Sequence, residues 1–262
     1  MARMRLDKLL AHAGCGTRSE IKRAVRLGRV EVNGLAVRDP GMAVDPEADR
    51  VFWDGEPVRY REYVYFMLNK PPGVISATED PRERTVIDLL KPEDRVRDPF
   101  PVGRLDKDTE GLLLITNDGR LAHELLSPRK HVDKVYEAVV AGAVDDADVR
   151  AFASGVTLDD GYRTMPADLV VRDVRDGEDG PLSDVTVTLR EGKFHQVKRM
   201  FEAVGKRVVR LRRVAMGPLR LDPSLPPGDY RELTEEEMRA LDAAVSGAGP
   251  ARESNAGRGE KR

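Results

Sequence analysis

A single cysteine, Cys15, stands in 262 residues. No intrachain disulfide is possible, and no cysteine-based zinc site can be assembled. A reducing compartment is compatible with that usage. No run approaches the ~18 apolar residues of a membrane span. The basic N-terminus leads into Leu9-Leu10-Ala11, but Lys8 and His12 interrupt it, so no apolar segment of signal-peptide length forms there. The expectation is a soluble, cytoplasmic chain. Gly-x-x-x-x-Gly-Lys-Ser/Thr, Rossmann glycine spacing and His-Glu-x-x-His are all absent. Those absences speak against a nucleotide-dependent or zinc enzyme. There is also no fixed-period repeat and no overall basic excess, since 44 Lys and Arg face 46 Asp and Glu for a net charge of −2.

What is present is a core and a segregated charge pattern. Apolar residues make up 40% and charged residues 34%, enough for one large domain or two unequal ones with a heavily charged surface. Residues 1–30 hold eight basic side chains against Asp7 and Glu20, a local charge of +6. Residues 193–220 hold nine against Glu202 alone, a local charge of +8. Acid is concentrated elsewhere, as in Asp159-Asp160 and Glu235-Glu236-Glu237. A nucleic-acid binder of near-neutral net charge needs such segregation. The plain alternative for each cluster is a solvated helix face.

Leu6, Leu9, Leu10 and Ala13 share one helix face, and Gly14-Cys15-Gly16 breaks that helix. Thr17 or Ser19 caps a second helix, with Ile21, Ala24 and Val25 as its buried stripe. Val30-Glu31-Val32 then alternates as a strand into Asn33-Gly34, a type I′ hairpin signal. Val51-Phe52-Trp53 runs likewise into Asp54-Gly55. This helix-helix-hairpin unit, residues 1–58, resembles the small RNA-binding module of ribosomal protein S-four through Arg5-Leu6-Asp7-Lys8-Leu9-Leu10, Thr17-Arg18-Ser19-Glu20 and Gly28-Arg29-Val30-Glu31-Val32-Asn33-Gly34. The resemblance implies that Arg5, Lys8, Arg18, Lys22, Arg23 and Arg26 face RNA. Such contacts neutralise phosphate and carry little base information.

A linker is expected at 59–62, a larger domain at 63–242 and a disordered tail at 243–262. In the larger domain, residues 103–119 hold Asp106 just ahead of a continuous apolar run that ends in Asn117-Asp118-Gly119. The run reads as a strand buried on both faces, closed by a turn signal. Asp106 is then either a solvated turn acid or a carboxylate tuned by burial and neighbouring charge. Arg104 shares its strand-face parity. Val197, Met200, Phe201 and Val204 keep helical spacing as core residues, with Gly205 to end the helix. His195 reads as structural.

Four segments in order resemble the ribosomal RNA pseudouridine synthases: Asn69-Lys70-Pro71-Pro72-Gly73, residues 103–119, Lys134-Val135-Tyr136, and Glu191-Gly192-Lys193-Phe194-His195-Gln196-Val197-Lys198-Arg199-Met200-Phe201. The last segment, with Pro227-Gly228-Asp229-Tyr230-Arg231, is similar to the branch acting on small-subunit (16S) rRNA. The resemblance implies an α+β fold, with a larger, mixed and mainly antiparallel sheet domain beside the small module. It implies cofactor-free, metal-free isomerisation of uridine, in which the ribose bond to uracil nitrogen 1 breaks and one to carbon 5 forms. It casts Asp106 as the essential nucleophile or general base, Lys198 as its basic partner, and Tyr136 as the ring that stacks on the target uracil. Arg104 would fill the gap left by the flipped nucleotide. Lys70 would bring its ammonium to phosphate, with a plain loop lysine as the alternative, and Lys193 and Arg199 would border the RNA. The implied partner is rRNA in a small-subunit assembly intermediate, bound by a monomer. Two alternatives stand: a large-subunit (23S) synthase, and a non-catalytic assembly factor, which would not need Asp106.

Overall fold

The computed structural model describes residues 3–58, 60–127 and 130–246. It divides into two compact units, Met1–Gly119 with Leu225–Glu232, and Arg120–Ser224 with Leu233–Arg262.

The first unit begins with β1 (Met4–Arg5), α1 (Leu6–His12) and α2 (Arg18–Arg26). Thr17 caps α2 in a reciprocal box. Its hydroxyl accepts the Glu20 N–H at 3.3 Å, and the Glu20 carboxylate accepts the Thr17 N–H at 2.7 Å, satisfying two otherwise orphaned amides. Ile21, Ala24 and Val25 are buried as the helical spacing requires. β2 (Val30–Val32) turns back into β3 (Leu35–Ala36) through Asn33 and Gly34, both at positive φ (54° and 79°) as a type I′ turn demands. β4 (Ala43–Val44) pairs with β1, while β5 (Val51–Trp53) and β6 (Glu56–Pro57) complete a sheet of order β3-β2-β5-β6. Leu6, Leu9, Leu10, Ile21, Val30 and Val51 form one core, and Val58 and Tyr60 pack against it. Tyr60 also stacks on His12 with ring centroids 6.4 Å apart. Within the segment expected as a linker, Tyr60 therefore packs with the module, because an aromatic ring beside an apolar core is partly buried rather than left in solvent; Arg59 lies outside the described residues.

β7 (Tyr65–Lys70), α3 (Pro92–Arg95), β8 (Phe100–Pro101) and β9 (Glu110–Thr116) follow. β7 and β9 pair antiparallel from Tyr65↔Thr116 to Lys70↔Gly111, β8 adds to β9, and an isolated parallel bridge joins Ile75 to Thr85. Residues 111–116 are all buried, as the unbroken apolar run indicates. Asn117-Asp118-Gly119 does not close a hairpin. It leads into α4 (Gly119–Leu126). The Asn117 side chain accepts the Val64 N–H (2.9 Å) and donates to the Glu62 carbonyl (3.0 Å), so its hydrogen bonds hold the start of β7 rather than a tight turn.

The second unit continues from α4 with β10 (Lys134–Ala141), α5 (Asp146–Ser154), β11 (Asp168–Gly177), β12 (Gly180–Leu189), α6 (Gln196–Ala203), β13 (Arg207–Met216) and β14 (Leu219–Arg220). Its strands run β11-β12-β10-β13, with β14 on β13, antiparallel at every pair. Strand alternation sends Tyr136, Ala138 and Val140 of β10 and Val185, Val187 and Leu189 of β12 to buried positions. Phe152 of α5 meets Phe201 of α6 with centroids 4.8 Å apart. The chain then returns to the first unit as β15 (Tyr230–Glu232), paired to β7, and ends in α7 (Glu235–Val245). α7 passes the boundary expected at 242, because Leu241 is fully buried and the Ala243-Ala244 that follows favours helix. The remainder of the expected tail, 247–262, lies outside the described residues. The whole is α+β with mainly antiparallel strands. Among the described residues, no helix is long and apolar enough to cross a membrane.

Candidate active site

Asp106 sits in the connection between β8 and β9, half-exposed, with Leu105 buried and Arg104 exposed beside it. The segment 103–109 is a turn rather than a strand, so strand parity does not apply to Arg104 and Asp106. The reason is local. Gly103 takes φ 79°, and the Thr109 N–H closes a turn on the Asp106 carbonyl at 3.1 Å. The backbone of this turn is held from three sides. The Ser76 hydroxyl donates to the Leu105 carbonyl (2.9 Å) and accepts the Leu105 N–H (3.0 Å). The Gly73 N–H donates to the Lys107 carbonyl at 2.7 Å. Lys70 donates to the carbonyls of Pro71 (3.0 Å), Lys107 (3.3 Å) and Thr109 (2.9 Å).

Lys70 is 0% exposed, so it does not reach phosphate. The rigid Pro71-Pro72 turn directs its ammonium inward, onto the turn that bears Asp106. Ser76 is the anchor that the sequence alone does not reveal; only its closeness to Leu105 in space marks it.

In the second unit, Tyr136 lies on β10 opposite Val187 of β12 and Arg213 of β13 and is 9% exposed. Two residues earlier, on the same strand parity, Lys134 donates to the Val132 carbonyl at 3.0 Å. Burial, reinforced by the like charge of Arg213, pushes the Lys134 ammonium below the usual lysine range. Lys134 is not among the site residues expected from the sequence, although Lys-x-Tyr on a strand already places it on one face with Tyr136.

Lys198, half-exposed, is in the first turn of α6. Val197, Met200 and Phe201 bury the opposite stripe, and Gly205, φ 74°, follows the helix. His195 adopts φ 49°, ψ 32°, the left-handed region, and makes no side-chain cap to the helix. Its ring stacks on Phe194 at 3.7 Å. Arg199 is not available to phosphate in the way its position in the basic run suggests. It is paired with Asp159 and, at 2.6 Å, with Asp160, and its side chain is only 15% exposed. Lys193 is exposed and places its ammonium 4.5 Å from the Tyr162 ring centre.

The N-terminal basic residues behave differently. Lys8, Arg18, Lys22, Arg23 and Arg26 are exposed and make no ion pair among the described residues. Arg5 is exposed but forms a two-pronged pair with Asp7 at 3.0 and 2.8 Å, which holds that carboxyl below its ordinary range.

With a basic helical module and an acid-bearing turn in the first unit, and a strand tyrosine and a basic helix start in the second, the chain carries residue types that an RNA-modifying enzyme needs. Residues 64–203 match the model of RNA pseudouridylate synthase and residues 4–51 that of the S4 domain; the chain belongs to the RNA pseudouridylate synthase family, and its substrate is RNA. Relatives include an RNA pseudouridine synthase of Bacillus subtilis (strain 168), 51% identical over 91% of this chain and 98% of that protein. Ribosomal small subunit pseudouridine synthase A of Escherichia coli (strain K12) is 41% identical over 91% of this chain and 100% of that protein. A crystal structure of a pseudouridylate synthase aligns with a TM-score of 0.61 at 36% identity, covering 91% of this chain and 99% of that one.

Proposed function

We propose that this protein isomerises one specific uridine of small-subunit (16S) ribosomal RNA, acting in the cytoplasm as a monomer on an assembly intermediate. The observation that carries the substrate assignment is the full-length similarity, at 41% identity, to ribosomal small subunit pseudouridine synthase A. The Gln196-Val197-Lys198-Arg199 segment supports it.

In this reading residues 1–58 bind RNA and residues 63–242 carry the chemistry. Asp106 is the nucleophile or general base, and the clamped turn around it lowers the cost of holding a carboxylate at a fixed angle. Lys198 is the basic partner that the family segment assigns to that carboxylate. Tyr136 stacks on the uracil while the base detaches and turns, a task suited to a flat ring that does not fix the hydrogen-bonding edge. Arg104, exposed on the same turn, occupies the gap left by the extruded nucleotide. The reaction balances without a cofactor: the ribose bond to nitrogen 1 breaks, the bond to carbon 5 forms, the carbon 5 hydrogen leaves as a proton, and nitrogen 1 gains one.

Pseudouridine mapping of 16S and 23S rRNA from cells lacking the gene tests the assignment. Loss of one 16S site, restored by wild type and not by Asp106→Asn, is the expected result. A lost 23S site would overturn the subunit assignment and keep the chemistry. Unchanged maps would favour a binding factor.

A further inference from the structure

Glu191 is a buried acid, 9% exposed, that makes no ion pair among the described residues. It accepts three hydrogen bonds instead. The Tyr162 hydroxyl donates to Oε2 at 2.7 Å; the Met165 N–H at 2.9 Å and the Gln196 amide nitrogen at 2.7 Å both donate to Oε1. Gln196, itself 4% exposed, uses its carbonyl to accept the Lys193 N–H at 2.8 Å. One carboxylate thus ties two pieces of backbone together. The first is the short hairpin around 157–163, closed by the Leu158 N–H on the Tyr162 carbonyl at 2.8 Å. The second is the start of α6.

That start has no ordinary cap. A typical helix is anchored by a side chain at the N-cap, but His195 makes no such bond, and its backbone is left-handed. Gln196, the first residue of α6, instead ties the segment before the helix to its start by accepting the Lys193 N–H, and Glu191 holds Gln196. Arg199, gripped by Asp159 and Asp160 of the same hairpin, adds a second tie one turn later. Lys198 lies between the two ties.

We propose that Glu191 is a positioning residue for uridine isomerisation: through Gln196 it locks the first turn of α6 and so sets the direction in which Lys198 leaves the helix. The inference rests on the role given to Lys198 above. A carboxylate fits the place because three donors converge on it. Glutamine at 191 can keep the arrangement, since its carbonyl oxygen accepts from Met165 and Gln196 while its amide donates to the Tyr162 oxygen. Alanine cannot, and leaves buried donors without an acceptor.

The test is steady-state and single-turnover kinetics of pseudouridine formation on a 16S rRNA substrate. Glu191→Ala lowers kcat by about 10-fold or more with KM within about 3-fold, the signature of misplaced machinery rather than lost binding. Glu191→Gln stays within about 3-fold of wild type with an unchanged pH–rate profile. Gln196→Met reproduces the alanine defect while keeping Glu191, and serves if Glu191→Ala does not fold. The double variant is no slower than the slower single one, because both break the same tie. Wild-type kcat in Glu191→Ala or in Gln196→Met overturns the proposal. So does a Glu191→Gln enzyme as slow as the alanine variant with a shifted pH profile, which would make the carboxylate a proton carrier. An inactive wild type on every rRNA would instead sink the functional reading.

Discussion

Lys70 and Arg199 are both basic residues in segments that suggest RNA, and both are held by protein groups. Lys70 is fully buried on main-chain carbonyls, and Arg199 is neutralised by Asp159 and Asp160. Sequence shows that a lysine precedes a double proline; it does not show which way the ammonium turns, because that depends on the turn at 107–109, 37 to 39 residues away. Lys70→Met should cost roughly 3 kcal/mol, since buried carbonyls lose a charged donor, and should lower the melting temperature and the turnover together; calorimetry and rates on the same sample check this. Unchanged stability would show that the clamp is incidental. At this scale, too, burial together with the bond to Asp94 pushes the Tyr230 hydroxyl up to about 12. The unfolded group ionises near pH 10, so between the two values the unfolded state has lost the proton and the native state has not. Stability should therefore fall as pH rises from about 10 toward 12, and Tyr230→Phe should flatten that fall in denaturant titrations at stepped pH.

Among the elements, those governed by local chemistry are legible in the sequence alone. The Thr17 capping box, the buried stripe of α2, the Asn33-Gly34 turn and the buried run of β9 all follow from residues within one or two turns of each other. Where local signals leave the outcome open, a distant partner decides it. The Asn117 side chain is occupied by residues 62 and 64, the turn signal Asn-Asp-Gly leads into a helix, and Tyr60 packs against the module core. The exposed face of α2 carries a clear expectation. Arg23→Ala with Arg26→Ala should weaken RNA binding and make the slope of log K against log salt shallower by roughly 1 to 2, about one released counterion per lost phosphate contact. An unchanged slope would show that this face does not touch phosphate.

Across the whole molecule, the two basic segments have different fates. The N-terminal one remains an exposed cationic surface on a capped helix. The second is partly consumed within the fold: Lys206 pairs with the buried Asp148 at 2.7 Å, Arg213 is 2% exposed, and Arg199 is paired. Its count of +8 therefore overstates the charge offered to RNA, a fact invisible in composition because the neutralising acids lie 39 to 58 residues away. The residues proposed for the chemistry stand in recognisable segments, and Lys134 and Glu191 open two of them. What those segments do not show is the contacts: neither residue type nor spacing reveals that Ser76 holds Leu105 or that Glu191 holds Gln196. The central claim is that Asp106 drives uridine isomerisation, and it is tested most directly by tritium release from 16S rRNA labelled at uracil carbon 5, because that hydrogen must leave when the new bond forms. Wild-type protein should release about one equivalent per rRNA, and Asp106→Asn should release none while binding RNA within a few-fold of wild type; equal release by both proteins would contradict the account.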